Sequence, residues 1–208
     1  LRQGLAPLHA APLASLMTLC VIGIALALPT GLYTLLDATR GLGSHPLKYA
    51  VPEWRTLEMA VRLSSTWINA FYVALGSDAF DTHTICEFLK SFHEMAAHLL
   101  QFSSLSEMSS NWLTAETRAL YNAGVLFPEF EAAEEWKTTA AERMWAELNK
   151  QMLPDGAQWE LAPGYGAGVL GQFRSVYQLA QMNDKTLPDG YLDRLEASYN
   201  YYLYISVD

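Results

Sequence analysis

The chain has 208 residues, of which 51% are hydrophobic and 17% charged, and its formal net charge is -9. This length allows one domain of ordinary size and a small additional segment. Since an acidic chain repels phosphate backbones, the charge excludes nucleic-acid binding as a favoured function. Cys20 and Cys86 are far apart in the sequence and form no CxxC pair, so they indicate neither a disulfide framework nor a zinc site.

The N-terminal part differs from the rest of the chain. Leu13–Leu36 is a run of 24 residues without a charged side chain, and a membrane-spanning helix needs about 20 apolar residues. We therefore predict a membrane helix segment over residues 1–40, with Pro29 as a kink that a membrane helix tolerates. A signal peptide with a cleavage-like site at 25–27, or a buried soluble helix, are the alternatives.

The same segment also shows a family resemblance. "APLASLMTLCVIGIALALPTGLYTLLDATRGL" (Ala11–Leu42) resembles the first membrane helix of the FtsX-type cell-division proteins. The resemblance implies attachment to a membrane through this helix. We accordingly expect a membrane-anchored protein whose remaining domain is periplasmic or extracellular.

Residues 41–53 are predicted to be a linker because glycines and prolines are concentrated there. From residue 54 to 208, apolar residues recur at steps of three and four, which predicts helices, and no stretch alternates as a strand would. Short connections between helices are typical of antiparallel helical hairpins, packed as a bundle or a toroid. The predicted helices cover Leu57–Leu75, Ile85–Leu100, Trp112–Leu126, Ala132–Met152, Gly168–Gln181 and Tyr191–Ile205.

Few residues have the spacing that chemistry requires. His93 and His98 are five residues apart and do not share a helix face, so we predict no metal ion and no cofactor. Two junctions between a loop and a helix remain, "SSNWLTAE" with Asn111 and "PDGAQWELAPGYG" with Tyr165. From the residues alone, Asn111 is accounted for as a helix N-cap, and Tyr165 as an aromatic packed beside turn residues.

The order of these motifs resembles a known family. "SSNW", "AGVLFPEF" and "QMLPDGAQWELAPGY", within Ser109–Phe173, resemble the helical domain of heparinase II/III-type polysaccharide lyases and their alginate-lyase relatives. "PEWRTLEMAVRLSSTWINAFYVAL" (Pro52–Leu75) fits the Trp- and Arg-bearing helix of that family. The resemblance covers residues 50–208 and implies a partial α/α toroid of helical hairpins. It further implies β-elimination of a uronic-acid polysaccharide, so the expected partner is an anionic polysaccharide or oligosaccharide.

The resemblance also implies roles for individual residues. Asn111 would bind the uronate carboxylate, and Tyr165 would be the catalytic acid and often the base. The residues expected to bind substrate are Trp112, Glu160, Gln158, Arg62 and Trp67.

The chain departs from the family pattern at two positions. Many relatives carry His directly after the Asn and after the Tyr, where this chain has Trp112 and Gly166. The leading hypothesis is a carbon–oxygen lyase acting on polysaccharides, and these departures raise the question of whether it is a complete enzyme. The alternatives are a carbohydrate-binding helical domain without turnover, or part of an FtsX-type membrane protein fused to an unrelated domain.

Overall fold

The computed structural model describes residues 55–77, 80–104 and 110–206. These residues form α-helices and no strand, which confirms the all-α prediction for this part of the chain. A π-helical turn, Arg62–Thr66, joins the first two helices. The helices are α1 (Thr56–Val61), α2 (Trp67–Ala74), α3 (Thr82–Phe102), α4 (Asn111–Leu126), α5 (Ala133–Gln151), α6 (Pro163–Met182) and α7 (Tyr191–Ile205).

The predicted membrane helix and the predicted linker both lie outside the described residues. Across residues 55–206, where they are described, none of the helices combines the length and apolar character that crossing a bilayer requires.

Helix α4 lies at the centre of the domain and packs against α1, α3, α5 and α6. Its contact with α5 is close because Gly124 has no side chain. A Cβ atom at this position would lie 2.6 Å from both the carbonyl oxygen of Ala133 and the amide nitrogen of Lys137. The central position of α4 fixes Asn111, its first residue, relative to every helix that packs on it.

An aromatic cluster fills the core between α2, α3 and the end of α4. Phe71 is at its centre, with ring centroids 5.5 Å from Phe80 and from Phe92 and 5.8 Å from Phe127. Edge-to-face pairs of this kind stabilise a core beyond the area that they bury. Trp67 joins the same cluster through Phe88, at 6.1 Å.

The π-helical turn changes which residues of the first predicted helix face the core. A π turn contains an additional residue, so the apolar stripe after it is rotated relative to the stripe before it. Leu75, predicted on the buried face, lies after the turn and is 45% exposed, whereas Ala74 is buried. Val61 was predicted on the same face but lies before the turn and is 49% exposed, whereas Leu63 is buried. The single continuous period predicted from Leu57 to Leu75 is therefore wrong at these positions.

Helix α6 begins five residues earlier than the sequence predicts, at Pro163 instead of Gly168. Proline suits the first position of a helix because its missing N–H would have no partner there, and its fixed φ angle is already helical. Tyr165 therefore lies in the first turn of a helix, which corrects the expectation that it belongs to a loop.

Candidate active site

Asn111 is the first residue of α4, and its side chain is not the helix cap. The hydroxyl oxygen of Ser110 accepts a hydrogen bond from the backbone N–H of Leu113 at 3.3 Å, so Ser110 is the N-cap. The interpretation of Asn111 as an N-cap is therefore wrong. Because Ser110 caps the helix, the side-chain amide of Asn111 is not needed as a cap. Asn111 lines a cleft, which is described below.

Tyr165 lines the same cleft, from the first turn of α6. Its side chain is 60% exposed. The N-cap position, Ala162, has no side chain that could accept from the first backbone N–H groups of α6. The N-terminus of a helix carries a partial positive charge, so this end of α6 favours an anionic group in the cleft.

The cleft brings together two segments that are far apart in the sequence. It has a volume of about 430 Å³, and Asn111 and Tyr165, 54 positions apart, both line it. A volume of this size is within the range of small-molecule sites. The other lining residues are Ala162, Pro163, Gly164, Gly168, Val169 and Gln172.

Gln151, the last residue of α5, connects the two walls of the cleft. Its side-chain amide donates to the carboxylate of Glu147 at 2.7 Å and to the backbone carbonyl of Ser110 at 3.3 Å. Its own backbone carbonyl accepts from the N–H of Trp159 at 2.8 Å. The start of α4 and the segment that precedes α6 are thus held by one fully buried residue.

The loop between α5 and α6 is braced internally. Gln158 is only 2% exposed; its side-chain oxygen accepts from the backbone N–H of Glu160 at 2.9 Å, and its amide donates to the Glu160 carboxylate at 3.2 Å. Gly156 has a φ of +91°, and a Cβ there would lie 2.6 Å from the carbonyl oxygen of Ala197 in α7. The two predicted substrate-binding residues, Gln158 and Glu160, therefore bond to each other, and neither is among the residues that line the cleft.

Gly166, where the chain departs from the expected family pattern, has no space for a side chain. A Cβ atom would collide with the hydroxyl of Tyr202 and would lie 2.9 Å from the Cβ of Gln158. Tyr202 comes from α7, and burial raises the pKa of its hydroxyl, with a further rise from Tyr201. The phenol of Tyr202 thus occupies the volume that a residue-166 side chain would need, which accounts physically for the glycine.

The remaining predicted binding residues are Trp112, Arg62 and Trp67, and they take part in two cation–π pairs, one of which includes Arg55. The guanidinium of Arg55 lies 5.3 Å from the ring centroid of Trp112, which is 42% exposed. The guanidinium of Arg62 lies 5.4 Å from the ring of Trp67, which is only 6% exposed and belongs to the aromatic core. None of the four residues is among those that line the cleft. The ring of Trp67 is buried and packs in the core, so it is not accessible to a ligand.

Sequence reasoning did not single out Ser110, Gln151, Gln172 or Tyr202. Gln172 follows Tyr165 by seven positions, the spacing that returns to the same face of a helix, so it could have been found had α6 been started at Pro163. Ser110 could have been found as a capping residue before an apolar run. Tyr202 had no signal in the sequence, because its contact with Gly166 depends on how α6 and α7 pack.

The family described as Heparinase II/III N-terminus matches residues 45–208. The chain belongs to this family. The match confirms the resemblance to the heparinase II/III-type lyases. It does not bear on the resemblance of Ala11–Leu42 to FtsX-type proteins, because that segment lies outside it.

Curated relatives point in the same direction. The heparinase-family chain is 32% identical to a heparin-sulfate lyase of Bacteroides stercoris over 155 residues, which is 74% of this chain and 23% of that protein. It is 33% identical to the heparin-sulfate lyase of Pedobacter heparinus over 145 residues, which is 69% of this chain and 21% of the relative. The chain therefore spans less than a quarter of the length of these relatives.

Solved structures share the fold. The crystal structure of heparinase III has a TM-score of 0.74 at 24% identity, covering 83% of this chain and 27% of that one, which is a likeness of fold. The heparan sulfate lyase HepC of Pedobacter heparinus has a TM-score of 0.69 at 27% identity, over the same shares of the two chains. The described helices thus have the arrangement found in the corresponding part of these lyases.

Proposed function

We propose that this chain is the N-terminal helical part of a polysaccharide lyase that cleaves uronic-acid-containing polysaccharides of the heparan or alginate type by β-elimination. The observation that carries the proposal is that Asn111 and Tyr165 line one cleft although they are 54 positions apart. The names of the relatives, heparin-sulfate lyases, favour heparan sulfate as the first substrate to test. The likeness to heparinase III also supports the proposal that these helices are part of an α/α toroid.

In this mechanism Asn111 acts on the substrate carboxylate. The C5 proton of a uronate is weakly acidic because it is α to a carboxylate whose negative charge opposes carbanion formation. A hydrogen bond from the Asn111 amide to a carboxylate oxygen stabilises the enolate that forms when the proton leaves. Such a donor lowers the barrier because it stabilises the negative charge that develops on this oxygen in the transition state. The N-terminus of α6 adds a partial positive charge at the same cleft.

Tyr165 would transfer the proton. Its hydroxyl oxygen, as phenolate, takes the proton from C5 while the bond from C4 to the glycosidic oxygen breaks and a C4–C5 double bond forms. The phenol then gives the same proton to the leaving glycosidic oxygen, which returns Tyr165 to the phenolate form in which it started. A group that does both must reach both atoms in one pose, and the 60% exposure of Tyr165 allows such an approach.

The proposal is tested by following the absorbance of the unsaturated uronate product with heparan sulfate, heparin and alginate. Tyr165→Phe and Asn111→Ala are each expected to lower the rate by roughly a hundredfold or more, because each removes a group that acts only in the transition state. The control is Tyr204→Phe, because Tyr204 is exposed on α7 and does not line the cleft. An unchanged rate for Tyr165→Phe would disprove its assignment.

A carbohydrate-binding domain without turnover is the second candidate. It is favoured by the phenol of Tyr202 at the position where relatives often carry a His side chain, and by Trp112, whose exposed ring could stack on a sugar. Binding of heparan sulfate without any unsaturated product would support this candidate over the lyase.

We also propose, from the apolar N-terminal segment, that the helical domain is membrane-anchored and faces the periplasm or the cell exterior, where such polysaccharides are met. The FtsX-like helix over residues 11–42 would then be the anchor. Fractionation of cells that express the full chain, followed by protease treatment of intact cells or spheroplasts, tests this placement. Protein found in the soluble cytosolic fraction would contradict it.

A further inference from the structure

Gln172 lies in the same cleft as the two proposed catalytic residues. It follows Tyr165 by seven positions in α6, so both side chains leave the same face of the helix, and both line the cleft together with Asn111. Seven residues of helix extend about 10 Å, which is longer than a single pyranose ring. A sugar chain that reaches Tyr165 with one ring therefore extends toward Gln172 with a neighbouring ring.

The space between these two residues is open. Gly168, one turn after Tyr165, has no atom within 4 Å of the place where a Cβ would be. Val169, the other lining residue at this level, is buried, so its side chain forms the floor of the cleft without filling it. No side chain of Gly168 or Val169 therefore fills the space between Tyr165 and Gln172.

The side-chain oxygen of Gln172 has an unmet hydrogen-bonding requirement. It is shielded from water, and no hydrogen-bond donor among the described residues reaches it. Buried polar atoms in folded proteins are nearly always paired, because an unpaired one loses its hydrogen bonds to water without replacement. Because the side chain as a whole is only half-buried and lines the cleft, a small rotation of its amide would bring this acceptor to a donor that arrives with a ligand.

We propose that Gln172 is a substrate-contacting residue, whose side-chain oxygen accepts a hydrogen bond from a sugar hydroxyl on a ring adjacent to the one held by Asn111. The assignment rests on the proposed function, because it takes the ligand to be a polysaccharide in this cleft. It adds a neutral residue to the two proposed catalytic ones. Its effect is on substrate binding and alignment, since it lies too far along the helix to reach the same C5 proton as Tyr165.

The test uses Gln172→Met, which keeps the length of the side chain and removes its hydrogen bonding. The matched control is Gln181→Met, because Gln181 is exposed on the same helix and does not line the cleft. Binding of a size-defined heparan sulfate oligosaccharide is measured by calorimetry, and unfolding in urea is measured without ligand. We expect the affinity of Gln172→Met to fall roughly five- to thirtyfold, the equivalent of about 1–2 kcal/mol, and that of Gln181→Met to be unchanged.

The ligand-free measurement separates binding from a structural role. Because the oxygen of Gln172 has no partner among the residues that the structure describes, its removal should leave the urea midpoint unchanged or raise it. Equal affinities for wild type and Gln172→Met would overturn this inference alone, and so would a loss of affinity matched by an equal loss of stability. Absence of heparan sulfate binding by the wild-type chain would instead overturn the choice of substrate in the proposed function, and this inference with it.

Discussion

Replacing Gly166 with alanine is expected to destabilise the protein, although alanine is the better helix former. The added Cβ would collide with the hydroxyl of Tyr202 and would lie 2.9 Å from the Cβ of Gln158, which is fixed to its backbone. Overpacking of this kind costs about 1–3 kcal/mol. The gain in helix propensity offsets about 1 kcal/mol of that cost.

Gly171 provides the matched control, since it lies five positions further along α6. It has the same helical backbone, but no atom lies within 4 Å of its Cβ position. Gly171→Ala should therefore raise the free energy of unfolding by about 1 kcal/mol. The difference between the two variants isolates the contact with Tyr202 and Gln158, and we expect it to be about 1–3 kcal/mol.

The assay is equilibrium unfolding in urea, with the free energy obtained by linear extrapolation and the slope checked for constancy. Repeating the Gly166→Ala substitution in a Tyr202→Leu background completes a double-mutant cycle. In that background the cost should decrease, because the phenol is gone, without vanishing, because Gln158 remains. The explanation is refuted if Gly166→Ala is as stable as Gly171→Ala, or if the cost is the same in both backgrounds.

Three further predictions concern other positions. Gln151→Leu should lower the free energy of unfolding by roughly 1–3 kcal/mol, because the buried carboxylate of Glu147 loses its hydrogen-bond donor. Urea unfolding measures this, and an unchanged midpoint would contradict it. Arg55→Gln should weaken heparan sulfate binding and reduce the dependence of the affinity on salt, because Arg55 supplies positive charge beside Trp112. The affinity is measured by titration at several ionic strengths, and identical salt slopes for the two proteins would refute this. Burial lowers the pKa of His98 in the folded protein. The unfolded chain therefore binds a proton at this residue at a higher pH than the folded protein does. As a result, the free energy of unfolding should fall as the pH drops below about 6.5. The measurement is the urea midpoint at about pH 7.5 and at about pH 5.5. His98→Gln should make the decrease in midpoint between these two pH values smaller, whereas substitution of the exposed His83 should not. An equal decrease in wild type and His98→Gln would refute the assignment.

Much of the local structure follows from the sequence. The apolar period predicts helices α3, α4, α5 and α7 with ends that differ from the observed ones by a few residues. Period and propensity are local properties, so a stretch of the chain carries them without reference to its neighbours. The start of α6 was misplaced because the glycines after Pro163 suggested a loop, whereas the proline is well suited to begin the helix.

The sequence by itself determined that residues after position 54 form helices, and the order of its motifs indicated the family and drew attention to Asn111 and Tyr165. Only the tertiary structure decided which residues meet. It placed Asn111 and Tyr165 on one cleft together with Gln172, left Gln158 and Trp67 buried, and put Tyr202 in the space beside Gly166. The physical reason is that burial and contact depend on how distant helices pack, and neither composition nor period specifies that packing.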